Sequence, residues 1–269
     1  MENRIDRTLS VLRESGTTAL APFVTIGYPD LDGSVDIARA ALRAGGDMLE
    51  FGVPFSDPLA DGPTIQRTSA QALASGVTVR KCLESVAKLR NSGVKAPIIL
   101  MGYMNPFLHY GLEGFVHDAA DAGADGLIVP DLPPEESGNL RTLCKDAGIH
   151  LIPLLAPTST EERIATACEG AGGFIYCVSL AGVTGARGQM ASGVKTLVER
   201  IKAHSDLPVL VGFGVSTKEH VTDISTFADG AVFASAMLDA IDKAPAGDAA
   251  RVAGEFVRGL RGAPGVTTT

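Results

Sequence analysis

Short apolar runs alternate with amphipathic stretches along the whole chain. Most of the apolar runs are continuous, which is typical of strands that are buried on both faces of a sheet. The stretches between them have helical length, and several end in Gly or Asn, as helix C-termini prefer. Eight runs are predicted as strands: 19–27, 47–52, 96–103, 125–132, 150–157, 173–179, 208–214 and 230–236.

This alternation predicts parallel β/α units and therefore an α/β protein. The simplest closed arrangement is a (β/α)8 TIM barrel, which usually takes about 250 residues; this chain has 269. An open doubly wound sheet is the alternative, but its GxGxxG motif does not follow the first strand, where the chain has Gly27-Tyr28-Pro29-Asp30. We expect a single barrel domain over residues 1–269, with an extra N-terminal helix at residues 3–14.

Composition and charge narrow the class of protein. An apolar fraction of 45% indicates a globular chain, and a net charge of -8 disfavours nucleic acid or an anionic membrane as a partner. No apolar run reaches the roughly 18 to 20 residues of a membrane span, and the N-terminus does not resemble a signal peptide. The widely spaced cysteines predict free thiols in a cytoplasmic protein: Cys82, Cys144, Cys168 and Cys177.

The second predicted strand carries a carboxylate near its C-terminal end, where barrels of this class place their active sites. Because side chains alternate along a strand, Leu49 and Phe51 are predicted to face the helices and Glu50 the barrel interior. A buried carboxylate there is a candidate acid or base with a raised pKa. A structural ion pair at the strand end is the alternative.

The segment after this strand, residues 53–65, is long for a connection to a helix and contains three Pro and two Asp. Long loops at the top of a barrel frequently carry function. Asp57 and Asp61 are therefore candidate site residues, although Asp-Pro and Asp-Gly are also turn signals. The pattern leaves both a turn and a catalytic role open for Asp61.

Gly-rich loops indicate where a phosphorylated ligand would bind. Residues 180–189 follow the sixth strand and suit either a mobile lid or a plain flexible connection. Gly212-Phe213-Gly214 closes the seventh strand and Ala234-Ser235 the eighth, and barrels often bind phosphate after these two strands. Backbone N–H groups at a helix N-terminus can supply the donors, so an acidic chain can still hold an anion.

Other barrel chemistries lack their residues in this sequence. A Schiff-base aldolase needs a strand Lys, and no Lys lies inside a predicted strand. Of the five His, only His150 touches a predicted strand, at its N-terminal, non-catalytic end, so a metal site is not expected. What remains is acid–base catalysis by carboxylates. Five aromatic residues near strand ends either line a pocket or belong to the core: Phe23, Tyr28, Tyr103, Tyr176 and Phe213.

Residues 49–63, LEFGVPFSDPLADGP, resemble the signature of the tryptophan synthase α subunit family. This motif is long and specific. Shorter matches follow in the family's order and extend the resemblance from residue 23 to about residue 236. They are Met101-Gly102-Tyr103 with Asn105-Pro106, VPDLP at 129–133, GVTG at 182–185 with Arg187, and VGFG at 211–214.

The resemblance implies a barrel that cleaves indole-3-glycerol phosphate to indole and glyceraldehyde 3-phosphate in a retro-aldol step, without a cofactor. It also implies a β subunit that takes up the indole through a tunnel in an αββα complex. On this match Glu50 is the catalytic acid and base. Asp61 is the second carboxylate, placed against the indole N–H.

Further positions match the family's binding sites. The substrate site corresponds to Phe23, Ile65, Tyr103, Ile128, Tyr176, Phe213 and the lid residue Thr184. The phosphate-binding backbone corresponds to Gly185, Gly214, Ala234 and Ser235. The contacts with the β subunit correspond to Asp57, Pro58 and Asn105.

Two positions depart from the family's pattern. The family usually has Gly-Ser-Ala where this chain has Ala234-Ser235-Ala236, and Ala disfavours a positive φ, which weakens the expected phosphate site. Phe51 replaces a smaller aliphatic residue, which concerns packing rather than catalysis. Two other hypotheses stay open. One is a different phosphate-binding barrel, such as an indole-glycerol-phosphate synthase or a phosphoribosyl isomerase, and the other is a catalytically silent barrel that binds a phosphate ligand or regulates the β subunit.

Overall fold

Strands and helices alternate in the computed structural model, which describes residues 3–178, 187–212 and 214–262. The strands are β1 Ala19–Thr25, β2 Leu49–Gly52, β3 Ile98–Met101, β4 Gly126–Ile128, β5 His150–Leu151, β6 Leu154–Leu155, β7 Ile175–Val178, β8 Val209–Gly212 and β9 Gly230–Phe233. The helices are α1 Arg4–Glu14, α2 Leu31–Arg43, α3 Pro63–Ala74, α4 Val79–Asn91, α5 Met104–Tyr110, α6 Leu112–Ala122, α7 Gly138–Asp146, α8 Glu161–Cys168, α9 Arg187–Lys202, α10 Lys218–Ser225, α11 Ser235–Asp242 and α12 Ala249–Arg261. A 3-10 turn at Pro134–Glu136 precedes α7. The extra N-terminal helix is confirmed as α1.

The strands close into a ring of parallel neighbours. The hydrogen-bonded order is β5-β4-β3-β2-β1-β9-β8-β7-β6, and β5 and β6 are the two halves of one predicted strand. That strand was expected to run unbroken, but Pro153 has no N–H and interrupts it. The segment still joins both neighbours, since Ile152 N donates to Leu127 O at 2.9 Å and Tyr176 N donates to Pro153 O at 2.9 Å.

Two apolar cores lie on the two faces of this ring. The outer core, between strands and helices, contains Leu49 and Phe51, both fully buried. The lumen core fills the inside of the barrel with Ile5, Leu9, Ala19, Ala21, Met48, Ile99, Ile128, Ile152, Phe174, Tyr176, Leu210 and Val232. The predicted orientation of Phe51 toward the helices is confirmed, so its bulk is absorbed away from the barrel interior.

Helix α1 closes the N-terminal end of the barrel. The Asn3 side chain caps this helix and also donates to Asp125 O at 2.9 Å, just before β4. Ile5 and Leu9 enter the lumen core, and His150 pairs with Asp6 at 2.8 Å. His150 therefore lies at the non-catalytic end, as its place at the start of a strand predicted.

A buried ion cluster joins α1 and α4 to the same end. Asp125 is 3% exposed and binds Arg4 at 2.7 Å and Arg90 at 2.5 Å. Its carboxylate also accepts from Ile98 N at 2.8 Å. Since both carboxylate oxygens are met by charged or backbone donors, this cluster supports the fold and leaves the opposite end for chemistry.

Candidate active site

Glu50 lies inside the barrel near the C-terminal end of β2. It is 5% exposed and pairs in register with Phe23 of β1 and Ile99 of β3. Ile99 belongs to the lumen core, as does Met48, which shares the strand face of Glu50. The alternation of side chains along β2 thus places the carboxyl in the barrel interior, as predicted.

Tyr176 on β7 hydrogen-bonds the Glu50 carboxyl across the barrel. The tyrosine is 9% exposed and lies in the lumen core. Its hydroxyl fits there because residue 212 is glycine: a Cβ at Gly212 would lie 2.5 Å from the Tyr176 oxygen. The absence of a side chain at Gly212 thus leaves room for the hydroxyl that hydrogen-bonds Glu50.

Asp61 is held at the end of the loop between β2 and α3. Its N–H donates to Pro58 O at 3.0 Å, and its carbonyl accepts from Gln66 Nε2 at 2.9 Å. The Tyr103 hydroxyl accepts from Ala60 N at 3.1 Å and hydrogen-bonds the Asp61 carboxylate. The backbone of Asp61 thus forms the turn, while its carboxylate points at a tyrosine of the site. The turn left open by the sequence is confirmed, and the catalytic role of Asp61 stays a prediction.

Burial separates the acidities of the two carboxyls. It raises the pKa of Glu50 from 4.5 to about 8, with a further rise from the charge of Asp61 and an opposing effect of the Tyr176 hydrogen bond. Burial also raises the pKa of Asp61, from 3.8 to about 6, against the hydrogen bond from Tyr103. At neutral pH Glu50 therefore keeps its proton while Asp61 is largely ionised. Such a separation marks one group as an acid and the other as an anion.

Apolar side chains surround these carboxyls. Phe23, Tyr103 and Ile128 are 3%, 3% and 1% exposed, and each lies at or near the end of a strand adjacent to the barrel interior. Ile65 is half-buried on the first turn of α3 and packs against the outer core. Phe213 lies outside the described residues. The structure thus brings three of the expected pocket residues to the end of the barrel that holds Glu50, and puts Ile65 on a helix.

Helix α11 begins at the predicted phosphate-binding residues. Ser235 is its first residue, and Met237 N and Leu238 N both donate to Ala234 O at 3.0 Å. The N–H groups of the first turn before them have no acceptor within the helix, so they suit a phosphate. Ala234 has a φ of −133° and Gly214 a φ of +34°. Ala234 therefore needs no positive φ here, and its methyl group causes no strain of that kind.

Comparison with known proteins decides the family. A sequence profile described as tryptophan synthase alpha chain matches residues 9–259. The tryptophan synthase alpha chain of Roseiflexus sp. (strain RS-1) is 51% identical over 260 residues, which cover 97% of this chain and 100% of that relative. The chain belongs to the tryptophan synthase alpha chain family.

Solved structures agree with this assignment. Tryptophan synthase subunit alpha from Legionella pneumophila str. Paris aligns with a TM-score of 0.90 and 36% identity, over 97% of this chain and 98% of that one. Mycobacterium tuberculosis tryptophan synthase in space group F222 aligns with a TM-score of 0.88 and 38% identity, over 97% and 98% of the two chains. The predicted TIM barrel is confirmed, and membership as an alpha chain of tryptophan synthase implies a β subunit as partner.

The residues expected to contact that partner lie on the catalytic end of the barrel. Asp57 and Asn105 are exposed, and Pro58 is half-buried. Two large apolar side chains beside them are also exposed, Leu59 by 94% and Leu108 by 56%. Apolar groups left in water next to polar ones are typical of a surface that a partner covers.

Some of the expected site residues belong to the lid. Thr184 and Gly185, and most of the predicted lid at 180–189, lie outside the described residues.

Within the part of the chain that is described, no three His, Cys, Asp or Glu side chains are grouped as metal ligands, and no helix is long and apolar enough to cross a membrane. The cysteines are free thiols, and Cys82, Cys144 and Cys177 are buried.

Two functional relationships were missed by sequence reasoning. Tyr103 was expected to line the pocket, and its bonds to Ala60 and Asp61 were not foreseen. Gly212 was expected only as part of a phosphate loop, whereas it also provides the space for Tyr176. No local pattern announces either, because the partners are far apart in the chain.

Proposed function

We propose that Glu50 and Asp61 carry out the cleavage of indole-3-glycerol phosphate to indole and glyceraldehyde 3-phosphate, with no cofactor. The observation that carries this proposal is the pair of carboxyls at one end of the barrel with pKa values of about 8 and about 6. One is a buried acid at neutral pH and the other an anion beside it. Membership in the alpha-chain family indicates the substrate, and the two carboxyls account for the acid–base chemistry of its cleavage.

The retro-aldol step needs two proton movements that one carboxyl can perform in turn. Glu50 gives its proton to C3 of the indole ring, and the ring nitrogen becomes positively charged. The ionised Glu50 then takes the proton of the hydroxyl on the carbon attached to C3. As that carbon becomes the aldehyde, its bond to C3 breaks and the electron pair returns to the ring.

Asp61 stabilises the intermediate charge. A carboxylate beside the indole N–H lowers the energy of the positively charged ring, and this effect is strong in a site that excludes water. Tyr103 holds Asp61 for this purpose, and Tyr176 holds Glu50. Phe23 and Ile128 supply an apolar wall for the indole, and Ile65, Phe213 and Thr184 complete the substrate site.

The other end of the substrate binds through the backbone. Gly185, Gly214, Ala234 and Ser235 present N–H groups to the phosphate, and the N-terminal end of α11 adds its positive dipole. This explains how a chain with a net charge of -8 binds an anionic substrate.

The partner docks on the catalytic end of the barrel. Asp57, Pro58 and Asn105 contact the β subunit, with Leu59 and Leu108 supplying apolar area. Two such pairs form an αββα complex in the cytoplasm, and indole passes to the β subunit through a tunnel. Residues 1–269 act in it as one barrel domain.

Indole release tests the proposal. The purified chain is given indole-3-glycerol phosphate alone and with a β subunit, and Glu50→Gln is run beside it. We expect slow release by the chain alone, a sharp increase with the β subunit, and none from Glu50→Gln. Folded wild-type protein that releases no indole in either condition would refute the proposal and leave a barrel that binds phosphate without catalysis.

A further inference from the structure

Two hydrogen-bonded pairs connect α3 to α11 side by side. Thr64 Oγ1 donates to Asp239 Oδ1 at 2.9 Å, and the Arg67 guanidinium binds the Asp242 carboxylate. Thr64 and Arg67 are three residues apart on α3, and their partners are three residues apart on α11. The two residues on each helix therefore lie on the same face of that helix. Because the lower number on one helix meets the lower number on the other, α3 and α11 run in the same direction.

A third element fixes the second pair. The Tyr28 hydroxyl, on the loop after β1, donates to the other oxygen of Asp242. The Arg67 guanidinium carbon lies 5.6 Å from the centre of the Tyr28 ring. Tyr28 is only 6% exposed, and the Asp242 side chain is 26% exposed. Both oxygens of Asp242 are therefore occupied by groups from two other elements, a geometry that an ordinary surface ion pair does not have.

The two helices begin at the two ends of the substrate site. Helix α3 begins at Pro63, two residues after Asp61, and α11 begins at Ser235. A shift of one helix along the other would change the distance between the Asp61 carboxylate, which faces the indole, and the N–H groups of α11 that bind the phosphate. A substrate bound at both ends requires that separation to be kept, and an error of about 1 Å in such an arrangement can cost about 100-fold in rate.

We propose that Tyr28, Thr64, Arg67, Asp239 and Asp242, together the α3–α11 ladder, set the distance between Asp61 and the phosphate-binding end of α11. These are positioning residues, since none of them is assigned a contact with the reacting atoms. The inference rests on the proposed function, because it assigns Asp61 to the indole end and Ser235 to the phosphate end.

The first test compares Asp242→Asn and Arg67→Met with Glu255→Gln. The control removes a carboxylate on α12 that is 52% exposed and binds Arg251 at 2.8 Å within the same helix. With the β subunit present, each ladder variant should raise KM for indole-3-glycerol phosphate and lower kcat, with a combined loss of about 10- to 100-fold in kcat/KM. The Ki of inorganic phosphate as a competitor should rise as well. A mere loss of folded protein would lower kcat alone and leave KM and Ki unchanged.

The double variant Arg67→Met with Asp242→Asn tests whether the pair acts as one unit. It should be no worse than Asp242→Asn alone, because that change already removes the carboxylate that Arg67 binds. Additive losses would overturn the proposal. If Asp242→Asn does not fold, Asp239→Asn breaks the other pair and takes its place in the kinetic and exchange comparisons, and the double variant becomes Thr64→Val with Asp239→Asn.

Hydrogen exchange separates this inference from the proposed function. Amides of residues 56–62 and 235–238 should exchange faster in Asp242→Asn than in wild type or Glu255→Gln, whether or not any indole is released. If the wild-type chain releases no indole, the proposed function fails and this exchange result alone decides the ladder. Ladder variants that match Glu255→Gln in KM, Ki and exchange would overturn it.

Discussion

The free energy of unfolding of the wild-type protein should fall between pH 5 and pH 8, and replacing Glu50 by glutamine should remove a large part of that decrease. The unfolded chain ionises this carboxyl near 4.5, whereas burial holds the folded pKa at about 8. Between those values the folded state binds the proton and the unfolded state does not. The contribution of Glu50 to the free energy of unfolding is therefore largest below its pKa in the unfolded chain. It is lost as the pH rises toward its pKa in the folded protein.

The size of the effect follows from the two pKa values. Each pH unit between them is worth about 1.36 kcal/mol, so ionisable Glu50 should cost wild type about 3 kcal/mol between pH 5 and pH 8. The glutamine amide has no proton to lose in this range, and any cost of placing it against Tyr176 is the same at every pH. For a chain of 269 residues this corresponds to about 6 °C in Tm.

Urea denaturation at half-unit steps of pH measures this difference. Circular dichroism and tyrosine fluorescence are followed together, because coincident transitions are required before a free energy of unfolding is taken. The chain has four Tyr and no Trp, so the fluorescence comes from tyrosine alone. Glu255→Gln is the control, since it alters a carboxylate that is 52% exposed and should keep the wild-type slope.

The free energy of unfolding of Glu50→Gln minus that of wild type should rise steadily with pH over this range. Parallel curves for the two proteins would mean that Glu50 ionises normally in the folded state. The assignment of a protonated acid at neutral pH would then be wrong, whatever the activity of the variant.

Asp61→Asn should lower kcat about 100- to 1,000-fold, as loss of an electrostatic stabiliser does, and a rate near wild type would leave Asp61 only its turn. The pH profile of kcat/KM should be bell-shaped, with apparent limbs near 6 and 8 that belong to Asp61 and Glu50 as a pair; a flat profile contradicts this. Gly212→Ala should lower kcat and also the urea midpoint, because its Cβ would lie 2.5 Å from the oxygen of the buried Tyr176 side chain; full activity would show that Tyr176 can move freely. Asp125→Ala should cost about 3 kcal/mol or more in urea denaturation while folded protein keeps its kcat, since buried positive charge loses its partner; a stable variant would make the cluster dispensable.

Much of the fold was predictable because its signals are local. Continuous apolar runs separated by amphipathic stretches are consequences of a buried parallel sheet, and all eight runs contain observed strands. The break at Pro153 was missed because the run around it is apolar throughout. Its missing N–H matters only once both neighbouring strands are in place.

The candidate site was predictable to a smaller extent. The side on which Glu50 lies follows from strand alternation, and the end of the barrel that holds it follows from the fold. Residue type alone predicts a weaker phosphate site at Ala234, but alanine readily adopts the observed φ of −133°. Backbone angles at such a junction depend on how the following helix packs.

The sequence by itself determined the order of strands and helices, the face of β2 on which Glu50 lies and the family, since these rest on the alternation of apolar and amphipathic stretches, on the alternation of side chains along a strand and on specific motifs. Only the tertiary structure decided that Glu50 and Asp61 differ in acidity, that Tyr103 and Tyr176 hold them, and that α3 is fixed to α11. Those properties depend on burial and on atoms from distant segments. Desolvation and hydrogen bonding act over a few ångströms in space, and the chain brings such groups together only when the barrel closes.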